Sequence, residues 1–209
     1  MTRLLLVRHG ETVWNAARRF QGVTDVPLSE RGRAQAAALA PALVERLAGE
    51  PLHAILASDL QRAHDTAALI AERQPGEILP EPRLREIGFG DWEGLTYDEI
   101  QQRDPDTLAR WLADCWQATP NGGEPFGAFI ARVRELLEEL RARREEETVL
   151  LVAHGGPLQT LLCLALGLQP QARWQFRLDP GSLSELYLYQ EGAILTLLND
   201  QHHLKEAST

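Results

Sequence analysis

Three short runs of unbroken apolar residues, each leading into a helical segment, limit this chain more than any other feature. Residues 3–7 are almost wholly apolar, as are 53–57 (His53-Ala54-Ile55-Leu56-Ala57) and 148–153 (Thr148-Val149-Leu150-Leu151-Val152-Ala153). A strand with one wet face alternates apolar and polar residues. A continuous apolar run belongs to a strand covered on both faces. Between the runs lie helical patterns. One covers 29–48, with Ser29 as its N-cap, Leu39, Leu43 and Leu47 on one face and a potential kink at Pro41. A second runs from about Leu60 to Arg73, and an interrupted one spans 96–117, restarting at Asp104-Pro105. Residues 124–144 have the clearest 3.6-residue period, and a last helix starts at Pro157 and ends near Gly167. Pro75, Gly76, Pro80 and Pro82 predict a loop, and 183–189 and 193–198 predict two further strands. Strands alternating with helices give an α/β fold with a mainly parallel sheet covered on both faces.

That architecture turns scattered polar residues into one site. Ligands of open α/β sheets bind beyond the carboxyl ends of the strands. Arg8 and His9 lie just past the first strand, Ser58 and Arg62 just past the second, and His154-Gly155 just past the third. These residues are distant in sequence but project from one edge.

The net charge of −9 argues against a nucleic-acid partner, which calls for a basic face. No apolar run approaches the roughly 20 residues of a membrane span, and the short N-terminal run before Arg8-His9 does not form a signal peptide. A cytoplasmic protein is expected. An acidic protein that handles an anion must concentrate its cations locally. The cluster Arg141, Arg143 and Arg144 reads as a solvated helix end beside Glu145, Glu146 and Glu147. Cys115 and Cys163 read as buried free thiols.

Two histidines and two arginines at one sheet edge suit phosphoryl transfer. The planar guanidinium fork matches phosphate oxygens. A neutral imidazole is nucleophilic and can form a covalent phosphoenzyme. Backbone N–H groups after Gly155-Gly156 add donors at a helix start.

Here the residues resemble a known family. Leu6-Val7-Arg8-His9-Gly10-Glu11-Thr12, followed by Trp14-Asn15, is similar to the signature of the histidine phosphatase superfamily, which includes the cofactor-dependent phosphoglycerate mutases and many small phosphatases. Phe20-Gln21-Gly22 with Pro27-Leu28-Ser29-Glu30-Arg31-Gly32 resembles its next block. Ser58-Asp59-Leu60-Gln61-Arg62-Ala63, Leu84-Arg85-Glu86-Ile87-Gly88 and Val152-Ala153-His154-Gly155-Gly156 follow in the family's order. The resemblance implies a single domain over 1–209. Its fold is a three-layer α/β/α, phosphoglycerate mutase-like arrangement around a mixed, mainly parallel sheet. One antiparallel strand would lie late in the chain, and a partial helical lid at about 92–123. It implies His9 as nucleophile and Arg8, Arg62 and His154 as the phosphate pocket. Asn15, the backbone near Gly22 and Gly155 would assist, and Glu86 would be proton donor and then base. It implies no metal and no organic cofactor, a small phosphorylated metabolite as substrate, and a possible homodimer.

Three functions compete: phosphomonoester hydrolysis, a 2,3-bisphosphoglycerate-dependent phosphoglycerate mutase, and a non-catalytic binder of phosphorylated ligands. No expected catalytic residue is missing, which counts against the binder. Mutases of the family carry paired arginines in a longer lid and usually Asn two residues past the second histidine. This chain has only Arg103 and Arg110 between Trp92 and Gly123, and Gly156 after the histidine. Both features favour the phosphatase. Pro120-Asn121-Gly122-Gly123-Glu124 resembles a turn of the phosphatase branch, with Pro125 where Ser is usual. Candidate substrates are α-ribazole 5'-phosphate, phosphoserine, and sugar or glyceryl phosphates. His64 reads as a partly buried helix residue, His53 as surface, and His202-His203 as a tail. Trp92, Trp111 and Trp116 divide between packing and substrate contact.

Overall fold

The computed structural model describes residues 1–143 and 146–206, so Arg144 and Glu145 lie outside the described residues. Six strands form one sheet: β1 (Thr2–Arg8), β2 (Ala54–Ala57), β3 (Ile78–Pro80), β4 (Glu147–Ala153), β5 (Leu183–Leu188) and β6 (Ala193–Asp200), in the order β3-β2-β4-β1-β5-β6. β1, β2, β3 and β4 are mutually parallel. β5 runs antiparallel to both β1 and β6, so it is the one reversed strand, late in the chain as expected.

Unbroken apolar runs become strands here because the sheet has helices on both sides. Leu4 and Leu6 of β1 and Val149 and Leu151 of β4 face one layer, in a core with α6 (Phe126–Ala142) and α7 (Gly155–Ala165). Leu5, Val7, Leu150 and Val152 face the other, against α2 (Glu30–Leu47) and α3 (Gln61–Ala71). Ser29 caps α2 by accepting from the Gly32 N–H, and Pro41 sits within that helix. The interrupted helical pattern resolves into α4 (Tyr97–Arg103) and α5 (Pro105–Ala113). Asp104 ends the first and caps the second, with Pro105 in its first turn. Trp92, Ile100, Leu108 and Trp111 anchor this segment in the first core. Short helices α1 (Val13–Ala16) and α8 (His202–Glu206) complete the set.

Some expectations need correction. The loop predicted around Pro75–Pro82 contains β3, three residues pairing with β2. Proline is tolerated there because β3 lies at the sheet edge. The helix expected over 124–144 begins at Phe126, with Pro125 as its cap, and ends at Ala142. His64 is exposed rather than partly buried, because Arg62, Ala63, Thr66 and Ala67 take the inner face of α3. His53 is exposed, and both cysteines are buried and free. His203 packs inward, its Nε2 3.0 Å from the Gly181 carbonyl.

The alternating pattern of β5 conceals a buried charge. Glu185, 2% exposed, faces α2 between Arg3 (Nε donating to Oε1 at 2.9 Å) and Arg46 (Nε donating to Oε2 at 2.6 Å). Removing one member strands the others in a desolvated site. Glu185→Ala is expected to lower unfolding stability by about 3 kcal/mol, read by urea denaturation, and a loss under about 1 kcal/mol would show this cluster to be solvent-like.

Candidate active site

Strand register builds the site. Arg8 is paired with Ala153, and Ala57 with Val152. His9, Ser58 and His154 are therefore the first residues past three adjacent parallel strands. The His9 N–H donates to the Ala153 carbonyl at 2.9 Å and the Ser58 N–H to the Val152 carbonyl at 2.9 Å, so the strand ladders extend to these residues. The two imidazoles meet edge-on with centroids 5.0 Å apart.

The hydrogen bonds set each tautomer. His9 Nδ1 lies 2.7 Å from the Gly10 carbonyl, which can only accept. Nδ1 therefore carries the proton and Nε2 keeps its lone pair. Arg62 Nε donates to His154 Nδ1 at 3.1 Å, so His154 carries its proton on Nε2, 2.9 Å from Ser58 Oγ. Burial, with Arg62 and Arg8 close by, holds His9 well below the ordinary 6.5. Burial, Arg62 and the neighbouring His9 do the same to His154. Both rings are neutral at physiological pH.

Arg62 is 0% exposed. Its Nη1 donates to the Thr24 carbonyl at 2.9 Å and its Nη2 to the Gly22 carbonyl at 2.7 Å. Burial pushes its pKa down to about 10, which leaves it charged at neutral pH. Gly22 has φ +54°, and a Cβ there would meet the Glu93 carboxylate. Glu93 in turn accepts from the N–H groups of Val23, Thr24 and Phe89. Arg8 Nη1 donates to the Leu178 carbonyl at 2.5 Å, while its buried Nε has no partner among the described residues. An orphaned guanidinium donor beside a neutral imidazole is what an incoming anion would satisfy.

Glu86 stands across this pocket. Its Oε2 accepts from the Gly156 N–H at 3.1 Å, at the first turn of α7, and its Oε1 from the Ile87 N–H at 2.9 Å. Its loop is pinned by Arg132, which donates to the carbonyls of Arg83, Arg85 and Glu86 and pairs with Glu124. Asn15 Oδ1 accepts from the Thr12 N–H and hydroxyl in a capping box. Gly155 packs beside the Arg8 guanidinium. Beyond Arg8 and Glu86 opens a cavity of about 220 Å³ walled by Phe89, Trp111, Phe129, Arg173 and Trp174. Trp111 thus both packs and faces the cavity, while Trp116 is exposed and stacks on Phe126. Among the described residues, no group of three or more His, Cys, Asp or Glu side chains could hold a metal ion.

A model of the histidine phosphatase superfamily (branch 1) matches residues 4–201. The chain belongs to that superfamily. It is 36% identical over 206 residues to phosphoserine phosphatase 1 of Hydrogenobacter thermophilus, covering 99% of this chain and 96% of that protein. It is 36% identical over 201 residues to the adenosylcobalamin/alpha-ribazole phosphatase of Escherichia coli, covering 95% and 96%. Among solved structures, mycobacterial glucosyl-3-phosphoglycerate phosphatase complexed with VO3 superposes with a TM-score of 0.83 at 36% identity, covering 95% of this chain and 99% of that one. The chain is accordingly a phosphoric monoester hydrolase of the histidine phosphatase type with a phosphoglycerate mutase-like fold. No helix among the described residues is long and apolar enough to cross a membrane.

Sequence reasoning did not single out Arg132, Glu93 or Arg173. On an amphipathic helix, Arg132 has the same signal as a solvated arginine. Gly156 has a local reason: a Cβ there would lie 2.0 Å from Glu86 Oε1. Gly156→Ala is expected to displace Glu86 and lower kcat toward an alkyl phosphate by about 100-fold, the low end for general acid–base catalysis. An unchanged kcat would show that the carboxylate position does not matter.

Proposed function

We propose that the protein hydrolyses a small phosphomonoester through a phosphohistidine on His9. The observation that carries this reading is the tautomer of His9. A buried ring with Nδ1–H held by the Gly10 carbonyl offers Nε2 as a neutral nucleophile. Arg8, through its unpartnered Nε, and the charged Arg62 neutralise the phosphoryl oxygens as the P–O bond to the alcohol weakens. Nε2 forms the bond to phosphorus, and the leaving alkoxide takes the proton of Glu86. Glu86, now a carboxylate, removes a proton from water as its oxygen attacks phosphorus. The N–P bond breaks and inorganic phosphate leaves, with His9 and Glu86 restored. His154 holds Arg62 by its Nδ1, lies against the His9 ring and is itself steadied by Ser58 through its Nε2–H. Asn15, the backbone near Gly22 and Gly155 complete the phosphate pocket.

Water is the acceptor in this reading because, among the described residues, the 92–123 segment contributes no cation to the cavity wall. Arg103 and Arg110 are both exposed, and Arg110 is turned onto Asp106 and Thr107 of its own helix. The relatives' substrates are the class to test: phosphoserine, α-ribazole phosphate, and sugar or glyceryl phosphates, with mutase activity toward 3-phosphoglycerate measured in parallel. Mutase turnover far above hydrolysis would overturn the assignment.

Rapid quench should trap acid-labile, base-stable phosphate on the wild type, none on His9→Ala, and a longer-lived adduct on Glu86→Gln. Full phosphatase activity in His9→Ala would refute the mechanism. Arg62→Lys keeps the charge but cannot serve His154, Gly22 and Thr24 at once. It is expected to lose at least about tenfold in kcat/KM, as removal of a charged hydrogen bond does. In the free enzyme, His9 should remain an active base below pH 6.5, so the acidic limb of kcat/KM that it causes should fall below the ordinary imidazole range. A limb at or above 6.5 that persists when His154 is removed would contradict the depressed His9.

A further inference from the structure

Besides Arg8, a second arginine on the cavity wall, Arg173, has no ion-pair partner among the described residues. Arg173 lies in the 3-10 turn Pro170–Gln175, which follows α7. It is 4% exposed. Its guanidinium carbon stands 4.4 Å from the ring centroids of both Phe126 and Trp174. Its Nη1 donates to Cys115 Sγ at 3.6 Å, and a thiol is a weak acceptor. No carboxylate among the described residues forms an ion pair with it. Buried arginines are normally paired, because desolvating an isolated charge is costly. Of the other arginines near the site, Arg62 is committed to His154, Gly22 and Thr24 and Arg132 to the Glu86 loop and Glu124, while Arg8 is assigned to the phosphoryl group in the proposed reaction.

Its place gives the unpaired charge a use. Arg173 lines the same cavity of about 220 Å³ as Arg8 and Glu86. The leaving alcohol must occupy that space. The volume lies below the roughly 300–1,000 Å³ of pockets for drug-sized ligands, so the alcohol is short. Trp174, 65% exposed, stacks on Arg173 and meets Trp111 edge-on at 6.2 Å, fixing the guanidinium between rings rather than leaving it to solvent. Stacking uses the flat faces of the guanidinium and leaves its N–H edge for a planar anion.

We propose that Arg173 is a specificity-determining residue that binds a carboxylate on the leaving alcohol. The natural substrate is then a short phosphorylated hydroxy- or amino-acid rather than a neutral alcohol phosphate. This rests on the phosphatase reading above.

The test compares two esters that differ by one group: 3-phosphoglycerate carries a carboxylate where glycerol 3-phosphate carries a hydroxymethyl. Phosphate release from the wild type should favour 3-phosphoglycerate by at least tenfold in kcat/KM, chiefly through KM. Arg173→Met, which keeps length and apolar stacking, should bring that ratio close to one, and Arg173→Lys should retain part of it. A wild-type ratio at or below one overturns the proposal, whether or not a variant folds. So does an equal fall of both substrates in Arg173→Met, which a merely structural arginine would give. Failure of the phosphatase reading is distinguishable: neither ester nor p-nitrophenyl phosphate would be hydrolysed. In that case calorimetry on His9→Ala decides. Preferential binding of 3-phosphoglycerate, lost on adding Arg173→Met, supports the carboxylate subsite alone, and equal binding of the two esters rejects it.

Discussion

A guanidinium with no exposed surface stands at the centre of this molecule. Arg62 reaches from the first turn of α3 to His154 Nδ1 and to the carbonyls of Gly22 and Thr24. Those acceptors come from two segments, the loop 22–24 and the start of α7, that are far apart in sequence. Their dipoles compensate part of the charge without neutralising it, as a carboxylate would. The remaining field, with burial, keeps both imidazoles neutral. The same feature that depresses the histidines would, in the proposed reaction, attract the phosphoryl group.

The surrounding structure holds this centre from two sides. On one, Glu93 gathers the N–H groups of Val23, Thr24 and Phe89, and so shapes the loop that receives Arg62. On the other, Arg132 collects the carbonyls of the Glu86 loop, and Gly156 lets the Glu86 carboxylate approach the start of α7. Behind the nucleophile, the Gly181 N–H donates to the Arg8 and His9 carbonyls, while His203 contacts the Gly181 carbonyl. The C-terminal tail thus supports the backbone of the nucleophile from outside the cavity. A rigid phosphate end is joined to a wall of aromatic rings, and in the proposed reaction the first does the chemistry while the second selects the alcohol.

Much of this was legible in advance because the period of burial was legible. Three solid apolar runs require coverage on both faces, and their C-terminal neighbours must share an edge. His9, Ser58 and His154 were therefore brought together by pattern alone. Arg62 was legible only as a basic residue near that edge, since helix position does not reveal which way a side chain turns. The capping of α1 by Asn15 Oδ1 is a local contact that its place in the motif did not announce. β3 is not legible because three residues ending in proline carry no periodicity, and the burial of Glu185 is not legible because nothing local to β5 shows that Arg3 and Arg46 close over it.

By itself, the sequence determined the fold class, the family and the edge on which the chemistry sits, because those follow from local periodicity and short motifs. Tertiary structure alone decided the tautomers of His9 and His154, the seat of Glu86 against Gly156, and the isolation of Arg173 between Phe126 and Trp174. The His9 tautomer depends on how the ring turns onto the next carbonyl, and the others on which acceptor or ring a side chain meets across the fold. Such meetings are set by packing between segments up to about a hundred residues apart, which no local pattern encodes.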